Sequence, residues 1–179
     1  AEMKETRINR LYLPGQRLPE NVSPSSNMEE VLREPDMILQ VCPSHVVRQV
    51  MEQAYRYFPK DVPIVSASKG IENDTLMTMS QVAEEILPEN FTVYFSCLTG
   101  PSFAREVIQK YPTAVTIACR DLNHAERLQR LFYREFFRVY ITDDLMGVQL
   151  CGALKNVIAI SSGVADGLQF GHNARAALI

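Results

Sequence analysis

The chain has 179 residues, of which 46% are hydrophobic and 22% are charged, a composition typical of a folded globular protein. Its formal net charge of −3 argues against a nucleic-acid-binding surface and against attraction to an anionic membrane. The first ten residues, AEMKETRINR, are polar and lack the apolar segment of a signal peptide, so we expect a cytoplasmic protein.

Cysteine and histidine spacing gives no indication of metal or disulfide chemistry. The cysteines stand far apart in the sequence, at Cys42, Cys97, Cys119 and Cys151, without a CxxC pair. The three histidines show no metal-ligand spacing. We therefore expect reduced cysteines and no zinc site.

Short apolar segments alternate with helical segments along much of the chain. After an aperiodic segment at 1–27 and a short helix at 28–34, strands are predicted at 37–42, 62–68, 91–97, 114–119 and 136–142, with helices at 45–57, 73–87, 102–110 and 123–135. This alternation predicts βαβ units, a mostly parallel sheet and the α/β class. The apolar segments are too continuous for a sheet with one solvated face.

The sequence becomes strongly apolar after Thr142. Asp143 or Asp144 can cap a helix that begins at Leu145, in which Lys155 is the only charged residue as far as position 165. A helix that is apolar on all sides is predicted to be buried in a larger protein. We disfavour a membrane span because the lysine would lie near the bilayer centre. The change predicts two domains, 1–142 and 143–179.

Three of the predicted strands are followed by residues that core packing alone would not select. In parallel sheets, ligands bind at these ends of the strands. The residues are Pro43-Ser44, Lys69-Gly70 and the turn Gly100-Pro101-Ser102. Lys69 could bind a phosphate or a carboxylate, or could be a solvent-exposed loop lysine. The turn could hold an anion at a helix N-terminus, or could simply provide Ser102 as the N-cap.

Lys155 is the strongest single candidate for catalysis. Positions 148, 152, 155, 159 and 162 share one helical face, and the residues that flank the lysine on it are small. Apolar surroundings favour the neutral amine, which suits general acid–base work. Alternatively, the side chain extends to solvent or pairs with a structural carboxylate. The adjacent Asn156 could orient a substrate hydroxyl or bond to a neighbouring helix.

Five segments together resemble the NAD(P)-dependent glycerol-3-phosphate dehydrogenase family, in its bacterial form. They are INRLYLPGQRLPENV (8–22), VCPSHVVR (41–48), SASKGIE (66–72), TGPSFARE (99–106) and CGALKNVIAISSGVADGLQFGHNARAALI (151–179). The resemblance implies the later part of a Rossmann-like domain, followed by the first helices of an all-helical domain, with the active site between them. The 179 residues contain no GxGxxG loop. The resemblance implies that this loop precedes Ala1 and that further substrate-phosphate residues follow Ile179.

The resemblance also implies an activity and a set of site residues. The implied reaction is the reduction of dihydroxyacetone phosphate, a small phosphorylated substrate, to sn-glycerol 3-phosphate, with NAD or NADP as the cofactor. The product would serve phospholipid synthesis. The resemblance also implies that the enzyme is a homodimer. Lys155 is the expected proton acceptor. The other expected contacts are Lys69, Gly100, Ser102 and Asn156 for the substrate, and Lys69, Ala104 and Pro43 for the cofactor.

Two other functions are compatible with the residues. One is a related two-domain dehydrogenase acting on a hydroxy acid or a sugar acid, which would be expected to differ from this chain over 151–179. The other is a non-catalytic binding module, should the 179 residues be the native full length.

Overall fold

The computed structural model describes residues 2–178. The helices are α1 Glu2–Thr6, α2 Met28–Val31, α3 Val47–Ala54, α4 Met79–Ile86, α5 Glu89–Thr92, α6 Ala104–Ile108, α7 Leu122–Phe132, α8 Leu145–Gly167 and α9 Gly171–Leu178, and short 3-10 helices flank α3 at Ser44–Val46 and Tyr55–Tyr57. The strands are β1 Ile38–Gln40, β2 Ile64–Ser66, β3 Phe95–Thr99, β4 Thr113–Cys119 and β5 Phe137–Thr142.

The strands form one sheet in the order β1-β2-β3-β4-β5. β1, β2 and β3 are mutually parallel, β4 is antiparallel to β3, and β5 is parallel to β4. The predicted α/β class with a mostly parallel sheet is therefore confirmed. Because β1 to β3 share one direction, their carboxyl ends lie at one edge of the sheet, which we call the carboxyl edge.

Helices cover the sheet on both faces, and strand residues alternate between the two layers. Ile64 and Cys97 belong to a core cluster with residues of α3, α4 and α5. Their strand neighbours Val65 and Leu98 belong to a second cluster with residues of α7. Burial on both faces explains why the strand sequences are continuously apolar.

Two predicted starts are wrong by four or more residues, and the local sequence explains both. The third strand was predicted to begin at residue 91, but Pro88 precedes the short helix α5 and β3 begins only at Phe95. The helix predicted from residue 73 begins at Met79, where Thr78 and Gln81 form a capping box. The backbone N–H of Thr78 donates to Gln81 Oε1 at 2.9 Å.

The reversal of the chain at β4 directs α8 towards the carboxyl edge. Leu145, at the start of α8, packs in the cluster that contains Cys97 in the middle of β3. One turn further, the buried Gln149 side chain accepts a hydrogen bond from the Ser80 N–H of α4 at 2.9 Å. Gly152 then lies against Thr99, the last residue of β3. The helix thus brings positions 151–155 to the edge where β2 and β3 end.

The apolar helix α8 was predicted to be buried in a larger protein, and within residues 2–178 most of it is exposed. Only Leu145, Gln149 and Ala165 of this helix are buried, whereas large apolar side chains such as Leu154 and Ile160 are exposed. By length and composition alone, α8 could cross a membrane. Its most apolar 18-residue segment has a mean hydropathy of 1.3, and 11% of that segment is buried. Its packing against the sheet is confined to the first turns.

His124 is a buried titratable group on α7. It is 5% exposed, its ring lies 5.2 Å from the Tyr94 ring, and Nε2 has no hydrogen-bond partner among the described residues. Burial lowers the pKa of His124 from its ordinary 6.5, against a smaller opposing effect of Asp121, and Arg127 lowers it further.

We expect the free energy of unfolding to fall as the pH is lowered below about 6.5, because the unfolded chain then binds a proton that buried His124 does not. The loss is complete once the pH has passed the lowered folded-state pKa. His124→Phe keeps the aromatic contact and should flatten this part of the stability profile. Denaturant unfolding of the natural-length protein across this range measures the slope, and an unchanged slope in the variant would contradict the assignment.

Candidate active site at the carboxyl edge of the sheet

A cavity of about 310 Å³ lies at the carboxyl edge, between the loops after β2 and β3 and the second and third turns of α8. Its lining residues are Lys69, Thr99, Gly100, Pro101, Ser102, Phe103, Cys151, Gly152 and Lys155. Three separate chain segments therefore converge here. Four of the predicted site residues, Lys69, Gly100, Ser102 and Lys155, lie together in this cavity.

The Lys69 ammonium is held by the loop after β3. Its Nζ donates to the Gly100 carbonyl oxygen at 2.8 Å and to Ser102 Oγ at 3.3 Å. Partial burial, followed by repulsion from the Lys155 ammonium, lowers the pKa of Lys69 from its ordinary 10.5. Two cations thus face one cavity, an arrangement that favours an anionic ligand over a neutral one.

Glycine is required at two of the turns that form the site. Gly70 has φ +118°, and a Cβ there would lie 2.8 Å from Ser44 Oγ. Gly100 has φ +133°, and a Cβ there would lie 2.9 Å from both the Ala114 carbonyl oxygen and Val115 Cα. These backbone atoms belong to β4 and cannot easily move. Glycine therefore allows the β3 loop to pass close over β4 while presenting its carbonyl to Lys69.

We expect Gly100→Ala to lower stability by about 1–3 kcal/mol through the strained φ, with further loss from the clash with β4. Substrate affinity should fall with it, because the Gly100 carbonyl that holds Lys69 is displaced. Thermal unfolding and substrate titration measure the two effects. Gly163→Ala is a matched control, since a Cβ at this helical position meets no atom of residues 2–178 within 4 Å. Equal behaviour of the two variants would contradict the prediction.

Lys155 lines the cavity but is not buried as its apolar helix suggested. Its side chain is exposed. It lies one helical turn after Cys151, so both side chains project from the same face of α8 towards the β3 loop. The small Gly152 leaves space against Thr99 for this close approach. Lys155 is therefore accessible both to the cavity and to a ligand entering from solvent.

The other predicted site residues lie around the cavity without lining it. Asn156 is exposed on α8 next to Lys155. Ala104 is the first residue of α6, directly after the lining residue Phe103. Pro43 is exposed at the end of β1, before the 3-10 helix whose Ser44 contacts Gly70. Ser102 is not the N-cap of the following helix; Phe103 occupies that position without a side-chain hydrogen bond.

Sequence reasoning missed three residues that line the cavity: Thr99, Phe103 and Cys151. Cys151 could have been found, because it lies four residues before Lys155 on the same helical face. Thr99 could have been found as the residue that ends β3. Phe103 gave no usable signal, because an exposed aromatic side chain after a turn has no distinguishing pattern.

A larger cavity, of about 460 Å³, lies against β1 and α3. Its lining is largely apolar, with side chains such as Met28, Met51 and Phe58, and includes no charged residue. It therefore offers no cationic side chain to hold an anionic substrate. The smaller, lysine-lined cavity is the better candidate for an active site despite its size.

Parallel strands with helices on both faces, and a lysine-lined cavity where the strands end, define a Rossmann-like α/β protein. The chain matches the family models for the N-terminus of NAD-dependent glycerol-3-phosphate dehydrogenase, over residues 1–125, and for its C-terminus, over residues 144–179. The chain belongs to this family, which confirms the resemblance found in the sequence.

Individual relatives agree with this assignment. A glycerol-3-phosphate dehydrogenase, NAD(P)+, of Syntrophotalea carbinolica is 51% identical over 177 residues, which are 99% of this chain and 53% of that protein. The crystal structure of glycerol-3-phosphate dehydrogenase from Coxiella burnetii superposes with a TM-score of 0.84 at 32% identity, covering 99% of this chain and 53% of that one. The chain thus spans about half the length of the relatives it matches.

A ketopantoate reductase from Ralstonia eutropha shares the fold alone. Its crystal structure superposes with a TM-score of 0.58 at 14% identity, covering 91% of this chain and 53% of that one. The fold is therefore shared with reductases of other substrates. The family assignment depends on the sequence matches and not on the fold.

Proposed function

We propose that the protein containing this chain reduces dihydroxyacetone phosphate to sn-glycerol 3-phosphate with NADH or NADPH. The observation that carries the proposal is the convergence of Lys69 and Lys155 on one cavity at the carboxyl edge. A phosphorylated ketone needs both an electrostatic partner for its charge and a proton donor for its oxygen. Membership in the glycerol-3-phosphate dehydrogenase family supports this substrate over other ketones.

The described residues fit one end of a dinucleotide. Gly70 and Gly100 let the loops after β2 and β3 pass close to Ser44 and to β4 at the carboxyl edge, because a Cβ at either would meet those atoms within 3 Å. Lys69, Ala104 and Pro43 would contact the cofactor there. When bound, the nicotinamide supplies the hydride that reduces C2 of the substrate. The pyrophosphate end would need a glycine-rich loop, and the 179 residues contain no GxGxxG sequence.

We assign the proton transfer to Lys155. As C2 accepts the hydride, its carbonyl oxygen becomes an alkoxide, and Lys155 Nζ–H donates the proton that yields the hydroxyl. In the reverse direction the neutral amine removes that proton. Lys69 would stabilise negative charge developing on the substrate, with its ammonium oriented by the Gly100 carbonyl and by Ser102. Gly100, Ser102 and Asn156 are the further substrate contacts in this proposal.

The test is oxidation of NADH and NADPH by the protein at its natural length, followed at the reduced nicotinamide absorbance. Dihydroxyacetone phosphate is compared with ketopantoate, a panel of other keto acids and unphosphorylated dihydroxyacetone. We expect the highest kcat/KM for dihydroxyacetone phosphate, with a large loss on removal of the phosphate. A preference for a keto acid would instead favour the related two-domain dehydrogenase, and binding without turnover would favour a non-catalytic module.

Further proposals concern the organisation of the protein. We place the domain boundary between residues 142 and 143, supported by the end of β5 at Thr142 and the start of α8 at Leu145. We propose a cytoplasmic homodimer without stable membrane insertion, supplying glycerol 3-phosphate for phospholipid synthesis. The first turns of α8 pack against β3, which supports the proposal that this helix is part of the folded protein and is not inserted in a membrane. Size-exclusion chromatography with light scattering tests the dimer.

A further inference from the structure

Arg48, on the first turn of α3, binds two carboxylates from different parts of the chain. Its Nε and Nη2 donate to Glu72 Oε1 and Oε2 at 2.9 and 2.8 Å, and its Nη1 pairs with Glu85 Oε2 at 2.8 Å. The Arg48 and Glu72 side chains are 29% and 13% exposed, whereas Glu85 is 47% exposed. The interaction with Glu72 is the bidentate and better shielded of the two, the geometry that makes such pairs strong.

Glu72 lies three residues after Lys69, in the turn that follows β2. Its backbone N–H donates to the Met77 carbonyl oxygen at 2.8 Å, and its carboxylate also accepts from Thr75 Oγ1. The side-chain hydrogen bonds, first that from Arg48 and then that from Thr75, lower the pKa of Glu72 to about 2. The carboxylate is therefore ionised throughout the pH range in which an enzyme of this kind works.

The 3-10 helix that leads into α3 also lies against Gly70. Its Ser44 precedes Arg48 by four residues, and a Cβ on Gly70 would lie 2.8 Å from Ser44 Oγ. The segment 69–72 is thus supported at Gly70 by Ser44 and at Glu72 by Arg48. Between these supports, the Lys69 side chain extends to the Gly100 carbonyl and Ser102.

We propose that Arg48 is a positioning residue for the reaction: through its bidentate bond to Glu72, it fixes the turn from which Lys69 reaches the cavity. This inference rests on the proposed function of Lys69 in substrate binding. Arg48 itself is not among the residues that line the cavity. Its effect is transmitted through the backbone of residues 69–72.

The two carboxylates on one guanidinium provide a matched experiment in the natural-length protein. Glu72→Gln and Glu85→Gln each remove one negative charge from Arg48, but only Glu72 belongs to the Lys69 turn. We expect Glu72→Gln to lower kcat/KM for dihydroxyacetone phosphate roughly tenfold or more, mainly through KM, and Glu85→Gln to change it by less than about twofold. Amide hydrogen exchange over residues 69–78 should accelerate in the first variant alone, with the strands unchanged.

Equal effects of the two variants, or unchanged exchange over 69–78 in Glu72→Gln, would overturn the proposal. If the unsubstituted protein does not reduce dihydroxyacetone phosphate, the proposed function fails, and the exchange comparison still decides whether Arg48 holds the turn. Should Glu72→Gln not fold, Arg48→Lys and Arg48→Met replace it. Lysine retains the charge without the planar fork, so we expect activity and exchange protection in the order arginine, lysine, methionine. Full protection in Arg48→Met would contradict the assignment.

Discussion

Replacing Lys155 with alanine in the natural-length protein is expected to lower kcat by at least about 10²-fold, with the affinity for reduced cofactor little changed. Lys155 lines the cavity from α8. In the proposed reaction, its proton neutralises the oxygen as C2 is reduced. Without a positioned donor, that oxygen must take its proton from water, which raises the barrier to reduction.

Lys155→Arg separates proton transfer from charge. Arginine keeps the positive charge but does not release a proton at accessible pH, so turnover should remain low while substrate affinity recovers. Lys60→Ala is the matched control, because Lys60 is an exposed lysine preceding β2, at the opposite edge of the sheet. Stopped-flow kinetics and cofactor titration provide the measurements. Near-normal turnover in Lys155→Ala would remove this residue from the catalytic role.

Replacing Lys69 with methionine is expected to lower kcat/KM for dihydroxyacetone phosphate by about 10²-fold or more. Methionine keeps most of the apolar stem but removes the ammonium that Gly100 and Ser102 orient. The loss should be much smaller for unphosphorylated dihydroxyacetone if the ammonium acts on the phosphate, and similar for both ketones if it acts on the oxygen at C2. Steady-state kinetics with the two ketones decide between these roles.

The pH dependence gives an independent test of Lys69. Because burial and the Lys155 charge lower its pKa below 10.5, the ammonium is lost at a lower pH than that of an exposed lysine. Substrate affinity should therefore fall as the pH rises through this lowered value, and the fall should be absent in Lys69→Met. If Lys69→Met retains both the affinity and the alkaline decline of the unsubstituted protein, Lys69 is not a substrate ligand.

The sequence predicts which residues meet at the carboxyl edge better than it predicts where helices and strands begin. Parallel strands end at a common edge, so the rule that ligands bind there brought Lys69 and Gly100 together across a separation of 31 residues. The antiparallel direction of β4 could not be predicted, because an apolar strand sequence does not encode the direction of its partner. Yet this reversal is what directs α8, and with it Lys155, to the same edge.

The errors have a common physical origin. Hydrophobicity shows that a surface favours burial, but not which element covers it; α8 was predicted to be buried in a larger protein, and most of it is exposed in residues 2–178. In addition, a polar side chain next to a helix can make more than one set of hydrogen bonds. Ser102 has the residue type of an N-cap, but its hydroxyl lies 3.3 Å from the Gly100 carbonyl and from Lys69 Nζ instead. Such choices depend on tertiary contacts that a single sequence does not show.

The bonds that hold Lys69 have a consequence for selectivity. A protonated amine carries three N–H groups, and the Gly100 and Ser102 oxygens engage two of them before any ligand arrives. These two bonds restrict the rotation of this long side chain in the folded protein, so a ligand bears less of the cost of ordering it. One N–H of Lys69 remains available, and it points in a defined direction. Lys69 can therefore bind a single acceptor atom of the ligand, and ligands that place their oxygen elsewhere bind less well.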